Sequence, residues 1–417
     1  MMENSQSGSS VAGNSARPGA APFHVLTLTP FFPSLENEVN GCFVKEPLNA
    51  LARLGVSSSV IAASPIHSAR RSSGPSAPAE WVRYFQIPGT AGLSSAGRFL
   101  YARLRRDLAE LHSRRPIHVI HAHAALPCGH AARLLGRHLR IPYVVTVHGL
   151  DVFNSCFRAG APAEWRRRAS IEVYRSAASV ICVSRKVQEI LQAGMPGEVR
   201  SAIVYNGTDT DLFSPPLLHD SISSSPLAGS QEILIVGNLI PSKGQELVLQ
   251  AVGRLADSFP QLQCHIIGEG PDRTRLETLA NQIGIRERIH FAGRQSRTAV
   301  AEAMRRCTVF ALPSSSEGLG CVYLEAMACG KPVIACRGQG IEEIIEHGRN
   351  GRLISPDNVD ELTDALSNLL SSRERSLQIG AAARQTVLNG LTLDRQAHNL
   401  ATLYRAVAVL GAVNRAL

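Results

Sequence analysis

From Phe23 onward, short apolar and β-branched runs alternate with longer stretches whose apolar residues recur at helical spacing. Strands are predicted over Phe23–Thr29, Val56–Ala62, Ile117–His121, Tyr143–Val147, Val180–Val183 and Ser201–Tyr205. Between them lie predicted helices over Phe43–Leu54, Arg98–His112, His130–His138, Trp165–Ser176 and Arg185–Ala193. Ser64–Ala79, rich in Ser, Pro and Gly, reads as a flexible loop, and Ser214–Ser230, without periodicity, reads as a linker. A second alternation follows, with strands at Ile233–Val236, Cys264–Ile267, Ile289–Phe291, Val309–Leu312 and Val333–Cys336. Its helices are predicted at Gln245–Ala256, Arg273–Ile283, Glu302–Arg306, Cys321–Cys329, Val359–Leu370 and Ser376–Leu388, with a last long helix at Leu393–Leu410. Strands alternating with helices argue for an α/β protein with doubly wound parallel sheets, and the linker divides it into two Rossmann-like domains. The predicted organisation is a disordered tail at 1–22, a first domain at 23–213, a linker at 214–230 and a second domain at 231–390. Ligands of such sheets bind beyond the carboxyl ends of the strands, so the chemistry belongs in the loops there.

Composition narrows this picture in three ways. An apolar content of 44% and a charged content of 18% are those of a globular protein with ample core, and no apolar run reaches membrane-spanning length. The first 22 residues lack the apolar segment of a secretion signal. The nine cysteines show neither C-x-x-C pairs nor zinc spacing, which points to reduced, buried thiols in a cytoplasmic protein. The net charge of +9 is concentrated between Leu93 and Arg200, where 17 Lys/Arg face 7 Asp/Glu. Such a stretch is either a set of solvated helix faces or a surface for an anionic membrane or acceptor. Basic residues are not interleaved with aromatics, so a nucleic-acid partner is not expected.

The stretch with the most chemistry is Glu317 to Glu325, inside PSSSEGLGCVYLEAMACGKPVIAC. A strand ends at Leu312, Gly318 and Gly320 let the backbone approach a ligand, and a helix opens at Cys321, capped at its far end by Gly330. A glycine turn feeding a helix N-terminus offers free N–H groups to an anion such as phosphate. The same residues read equally well as a tight turn with Glu325 facing water. Gly237 to Gly244 follows the first strand of the second domain, and Lys243 there is equipped to hold a diphosphate. Gly268-Glu-Gly270 is followed by Pro271, so the dinucleotide fingerprint is incomplete and a nicotinamide cofactor is not expected. His148 sits just past a strand in His148-Gly-Leu-Asp151 and is placed to touch a ligand. His121 and His123 end another strand without a completing carboxylate or cysteine, so a structural role is favoured over a metal. Asp209 and Asp211 follow Asn206-Gly207, where a capping turn competes with a cation site.

Taken in order, Gly41, HAHAALPCGHAA, VVTVHGLD, VICVS, YNGTDTDLF, VGNLIPSKG, IIGEGP and EGLGCVYLEAMACGKPVIA resemble the retaining GT-B glycosyltransferases of family 4. The resemblance covers nearly everything from Phe23 onward, and VGNLIPSKG and GQGIEEII are most similar to members that build extracellular or teichuronic-type polysaccharides. It implies two domains facing a cleft, with residues 391–417 forming a helix that returns to the first domain. It also implies roles: Glu317 beside the donor sugar, Glu325 on the ribose, and the amides of Leu319, Gly320 and Cys321 on sugar and phosphate oxygens. Lys243 would neutralise the diphosphate, Gly41 would belong to a loop closing over it, and His148 would face the transferred sugar. Asp209 falls in the family's N-G-x-D element. Two departures stand out: Asn238 occupies a position where many members carry arginine, and Gly41 stands alone where two glycines are common.

The resemblance implies transfer of a sugar from a nucleoside-diphosphate sugar, a co-substrate and not a bound cofactor, to a glycan or lipid-linked hydroxyl with retained configuration and no metal. The protein would then work in the cytoplasm, peripherally on the inner face of the cell membrane. A non-catalytic nucleotide-sugar binder and a GT-B sugar-nucleotide epimerase are the competing expectations.

Overall fold

The computed structural model describes residues 23–35, 37–69, 79–88, 92–149, 161–216 and 231–416. The predicted tail at 1–22, Leu150 and Asp151, and most of the predicted linker lie outside these residues. The first sheet contains β1 (Phe23–Thr29), β2 (Val56–Pro65), β3 (Ala79–Tyr84), β4 (Val119–His123), β5 (Tyr143–Val147), β6 (Ser179–Cys182) and β7 (Ser201–Ile203). All pairs are parallel, in the order β3-β2-β1-β4-β5-β6-β7. The second sheet contains β8 (Gln231–Val236), β9 (Leu262–Ile267), β10 (Ile289–Gly293), β11 (Val309–Ala311), β12 (Val333–Cys336) and β13 (Arg352–Ile354). It is likewise parallel, in the order β10-β9-β8-β11-β12-β13. In both, the chain order reverses beside the first strand, and that switch point opens a crevice at the strands' carboxyl ends.

The central strands are apolar runs because both faces are covered. Val144, Val145 and Val147 of β5, and Ile233, Leu234 and Ile235 of β8, are fully or almost fully buried. Each such side chain contributes about 1.5–3 kcal/mol by leaving water. The first domain's helices are α1 (Cys42–Lys45), α2 (Pro47–Arg53), α3 (Leu93–Arg114), α4 (His130–Leu139), α5 (Ala161–Ser176) and α6 (Arg185–Gly194). Those of the second are α7 (Gln245–Leu255), α8 (Arg273–Gln282), α9 (Arg297–Arg306), α10 (Cys321–Ala328), α11 (Val359–Ser371) and α12 (Arg373–Leu388). The last helix, α13 (Leu393–Ala416), packs Ala397, Leu400, Ala401, Tyr404 and Val407 against Val25, Val119, Val144 and Ile181 of the first sheet.

Four sequence expectations need correction, the first being the helix expected at Glu302–Arg306, which begins at Arg297 after the capping Ser296. The helix expected over Phe43–Leu54 is split into α1 and α2, because Pro47 opens a new helix at its first turn, where a missing N–H costs nothing. The loop expected over Ser64–Ala79 is shorter, since β2 runs to Pro65 and the edge strand β3 begins at Ala79. That strand alternates exposed and buried positions and so lacks the apolar run of a central strand. The helix expected over Arg98–His112 starts earlier, at Leu93, and ends at Arg114.

The two domains touch at their backbones. The Gly318 carbonyl accepts a hydrogen bond from the Ser184 hydroxyl at 2.6 Å. A Cβ on Gly318 would lie 2.3 Å from the His148 carbonyl oxygen, and one on Gly340 would lie 1.8 Å from the Gly318 carbonyl. Beside this contact Glu343 of the second domain accepts from the N–H groups of Arg185 and Lys186 at 2.8 and 2.6 Å, capping α6 from across the cleft, and from the Tyr205 hydroxyl at 2.8 Å. Glu343→Ala should therefore cost about 1 kcal/mol of the domain contact. Small-angle scattering should show a larger radius of gyration for this variant than for the wild type; identical profiles would refute the clasp.

Candidate active site

The glycine turn forms where β11 ends. Gly320 adopts φ +82°, and a Cβ there would meet the Tyr323 ring at 2.5 Å, so only glycine fits. Cys321 then opens α10, and Gly330 closes it at φ +72°. The N–H groups of Leu319, Gly320 and Cys321 lie at the helix start, where no preceding turn supplies carbonyl acceptors. Gly244, at φ +71°, ends the turn Pro241–Lys243 and caps α7, and its Cα abuts the Pro313 carbonyl. The two loops are stitched together, with the Ser315 N–H and the Ser314 hydroxyl both donating to the Ser242 carbonyl at 2.9 Å.

That stitching brings Lys243 and Glu317 into an ion pair, with both side chains largely shielded from solvent. The Glu317 N–H is in turn held by the Gln339 side chain at 3.0 Å. Across the cleft His148 lies against the Gly318 backbone, and its Nε2 is 2.9 Å from Nδ1 of His123, the rings being stacked. Gly41, at φ +77°, packs on the backbone of Phe31 and Phe32, and Phe43 on the following turn lies 4.6 Å from the His148 ring. The sequence-predicted Lys243, Glu317, Gly318, Leu319, Gly320, Cys321 and His148 thus share one locus. Asn238 is exposed and uses its backbone carbonyl to receive the Gln245 side chain.

Glu325 does not face water, so the reading of this stretch as a plain turn with an exposed Glu325 does not hold. It is 2% exposed, and one carboxylate oxygen, Oε1, is bound by Arg297, which also grips Glu46 of the first domain. The other oxygen, Oε2, is buried without a hydrogen-bond partner among the described residues. Arg297 was not singled out from the sequence, although a signal existed. It follows the helix-capping Ser296 at the first position of α9, where the helix dipole disfavours a cation unless acids stand nearby.

The remaining polar groups are structural. Asp209 caps its own turn, accepting from the N–H groups of Asp211 and Leu212 at 3.0 Å, so the cation reading loses its ligand. His121 has both ring nitrogens engaged, by Thr146 and by the Tyr404 hydroxyl of α13, each at 2.7 Å, and offers no lone pair to a metal. Gly268 and Gly270 let the β9 loop press on the carbonyls of Gly237 and Leu239. None of the eight described cysteines is in a disulfide, and six are buried.

Burial lowers the pKa of His148 to about 4 and, aided by the nearby His148, that of His121 to about 3; His123 is likewise pushed well below the usual 6.5. Between pH 6.5 and about 4 the unfolded chain therefore binds more protons than the folded one. Stability is full above that window and is lost as the pH falls through it. The melting temperature should drop between pH 7 and pH 4.5 and do so less steeply in His123→Gln; an unchanged slope would contradict neutral buried histidines.

Two facing parallel sheets, with the α10 N-terminus on one side of the crevice and histidine and glycine loops on the other, define a GT-B fold. Residues 43–212 match the family model described as Glycosyltransferase Family 4, and residues 221–386 match Glycosyl transferases group 1. The two matched segments follow one another along the chain. It is 29% identical over 272 residues to an uncharacterised glycosyltransferase of Methanocaldococcus jannaschii, covering 64% of this chain and 70% of that one. It is 31% identical over 206 residues to a GDP-mannose-dependent phosphatidylinositol monomannoside mannosyltransferase of Mycolicibacterium smegmatis, covering 47% of this chain and 54% of that enzyme. In the latter case the match spans about half of the relative's length. Among solved structures, sucrose-phosphate synthase of Thermosynechococcus elongatus superposes with a TM-score of 0.76 at 21% identity, covering 93% of this chain and 100% of that one. HepE of Anabaena in complex with UDP superposes at 0.71 and 20% identity, covering 92% and 100%.

Proposed function

We propose that this protein transfers a sugar from a nucleoside-diphosphate sugar to a hydroxyl of a glycan or lipid-linked acceptor, with retention of anomeric configuration, in cell-surface polysaccharide synthesis. The observation that carries this reading is the union of Lys243, Glu317 and the α10 N-terminus at one point facing His148. In this reading the donor diphosphate rests on the amides of Leu319, Gly320 and Cys321 and draws Lys243 partly away from Glu317. Glu317 is then free to accept a hydroxyl of the donor sugar. As the anomeric C–O bond to phosphate breaks, the leaving diphosphate gains negative charge, which the preoriented amides and Lys243 stabilise more in the transition state than in the ground state. The acceptor oxygen bonds to the anomeric carbon from the same face, and its proton passes to the departing diphosphate oxygen. His148, neutral through burial, faces the sugar as a hydrogen-bonding group, not as a charge. No step requires a metal in this scheme, because helix dipole and lysine supply the positive charge.

The acceptor side also has a surface suited to lipid. Ile66, Phe85, Ile87 and Phe99 are exposed large apolar side chains near the ends of β2, β3 and the start of α3, with the rings of Phe85 and Phe99 5.0 Å apart. Arg98, Arg103, Arg105 and Arg106 are exposed along the same helix. Apolar tips beside arginines complement an anionic lipid surface, which fits a peripheral location on a membrane. Among the described residues no helix is long and apolar enough to cross one.

Incubation with a panel of nucleotide sugars, followed by thermal shift and nucleoside-diphosphate release, tests the reading. Release that depends on acceptor supports transfer, conversion without acceptor would indicate an epimerase, and binding without turnover a non-catalytic binder. Lys243→Ala should lower kcat roughly 10²- to 10³-fold, and Glu325→Ala should raise the donor KM. Wild-type kinetics in both would overturn the site assignment. Sedimentation with anionic liposomes should weaken at high salt and on replacing Phe85 and Phe99 by serine; salt-independent or unchanged binding would exclude this face.

A further inference from the structure

Buried carboxylates need partners, and Glu325 has one for only half of itself. Its side chain is 3% exposed, Arg297 binds Oε1, and Oε2 is left without a donor among the described residues. A buried acceptor oxygen in this state is costly unless a ligand completes it. Arg297 is itself held on three sides: by Glu325, by Glu46 between α1 and α2, and by the Phe213 ring, over which its guanidinium lies at 4.7 Å. Burial opposes the charge of Arg297, yet Glu325 and Glu46 hold its pKa above the usual arginine value. Burial likewise raises the pKa of Glu46, with Arg297 as the counterweight. The planar fork reaches two carboxylates on different domains at once, which a lysine ammonium on a flexible stem does not reproduce.

We propose that Arg297 is a positioning residue for the nucleoside. It fixes the rotamer of Glu325 so that Oε2 is presented to the ribose hydroxyls, and it ties that carboxylate to the helix pair following the Gly41 loop. This rests on the assignment of Glu325 to the donor ribose. Arg297 touches no ligand and acts only through Glu325. The role is distinct from phosphate neutralisation, so it leaves Lys243 and the α10 amides unaffected. The Glu46 arm makes seating of the Gly41 loop and orientation of Glu325 parts of one event: the guanidinium that orders the ribose acceptor is held in place by the first domain.

A purely structural role for Arg297 would weaken every ligand alike, whereas this one is read out by ribose alone. The probes are UDP and GDP beside their 2′,3′-dideoxy counterparts, titrated calorimetrically into the full chain. The wild type should prefer the ribonucleotide by roughly 10- to 100-fold, the contribution of hydroxyls donated to a carboxylate. Arg297→Gln should abolish that preference, and Arg297→Lys, which retains the charge and guards against misfolding, should reduce it several-fold. In both variants the dideoxy nucleotide should bind nearly as it does to the wild type. Glu46→Gln, which spares the Glu325 arm, should lower affinity while keeping part of the preference. An undiminished preference in both Arg297 variants, or equal weakening of ribo and dideoxy forms, would overturn the role of Arg297 alone. A wild type that binds nucleotide without ribose preference would overturn the ribose assignment together with this proposal and leave the donor reading standing. A wild type that binds neither UDP nor GDP would overturn all three.

Discussion

The structure depends on the absence of two Cβ atoms. Gly318 lies between the His148 carbonyl and the Cα of Gly340, and neither neighbour leaves room for a methyl group. The Ser184 hydroxyl then reaches the Gly318 carbonyl, so a backbone segment of one domain is hydrogen-bonded directly to the other. This contact holds the α10 N-terminus, the Lys243–Glu317 pair and His148 around one small volume. A side chain at either glycine would separate the groups that the proposed chemistry requires to be adjacent, because misplacement by an ångström is enough to lose much of the benefit of prearranged charge.

Around that contact, polar groups are satisfied in a graded way. Several groups that hold the scaffold are paired: His121 between Thr146 and Tyr404, Asp209 Oδ1 with two amides, Glu343 with two amides and a phenol. Among the described residues Glu325 keeps an unpaired buried oxygen, whereas Lys243 is paired with Glu317. An unpartnered buried carboxylate oxygen is costly, which sets Glu325 apart from these paired carboxylates.

Much of this was legible in the sequence. Apolar runs marked the buried parallel strands, because a strand covered on both faces tolerates few polar side chains, and glycines marked turns with positive φ at Gly320 and Gly330. The edge strand β3 escaped notice because only its alternate positions are buried. The split at Pro47 was readable in principle and was outweighed by the continuous helical spacing on either side. Arg297 was illegible for a different reason. Its partners, Glu46 and Glu325, lie 251 and 28 residues away, and nothing local shows that three charges share one buried point. Local propensity reports backbone shape, whereas the meeting of distant charges is set by tertiary structure.

The return of α13 to the first sheet has a mechanical consequence. The chain passes between the domains twice, once after Phe213 and again just before Leu393. The segment leading into the first passage lies against the second, joined where Thr208 exchanges hydrogen bonds with Leu391 and Leu393 and where Gly207 presses on the Thr392 carbonyl. A single tether would let one domain swivel freely about the other. A doubled, cross-bonded one resists such swivelling and so favours a single seat for Gly318 against His148.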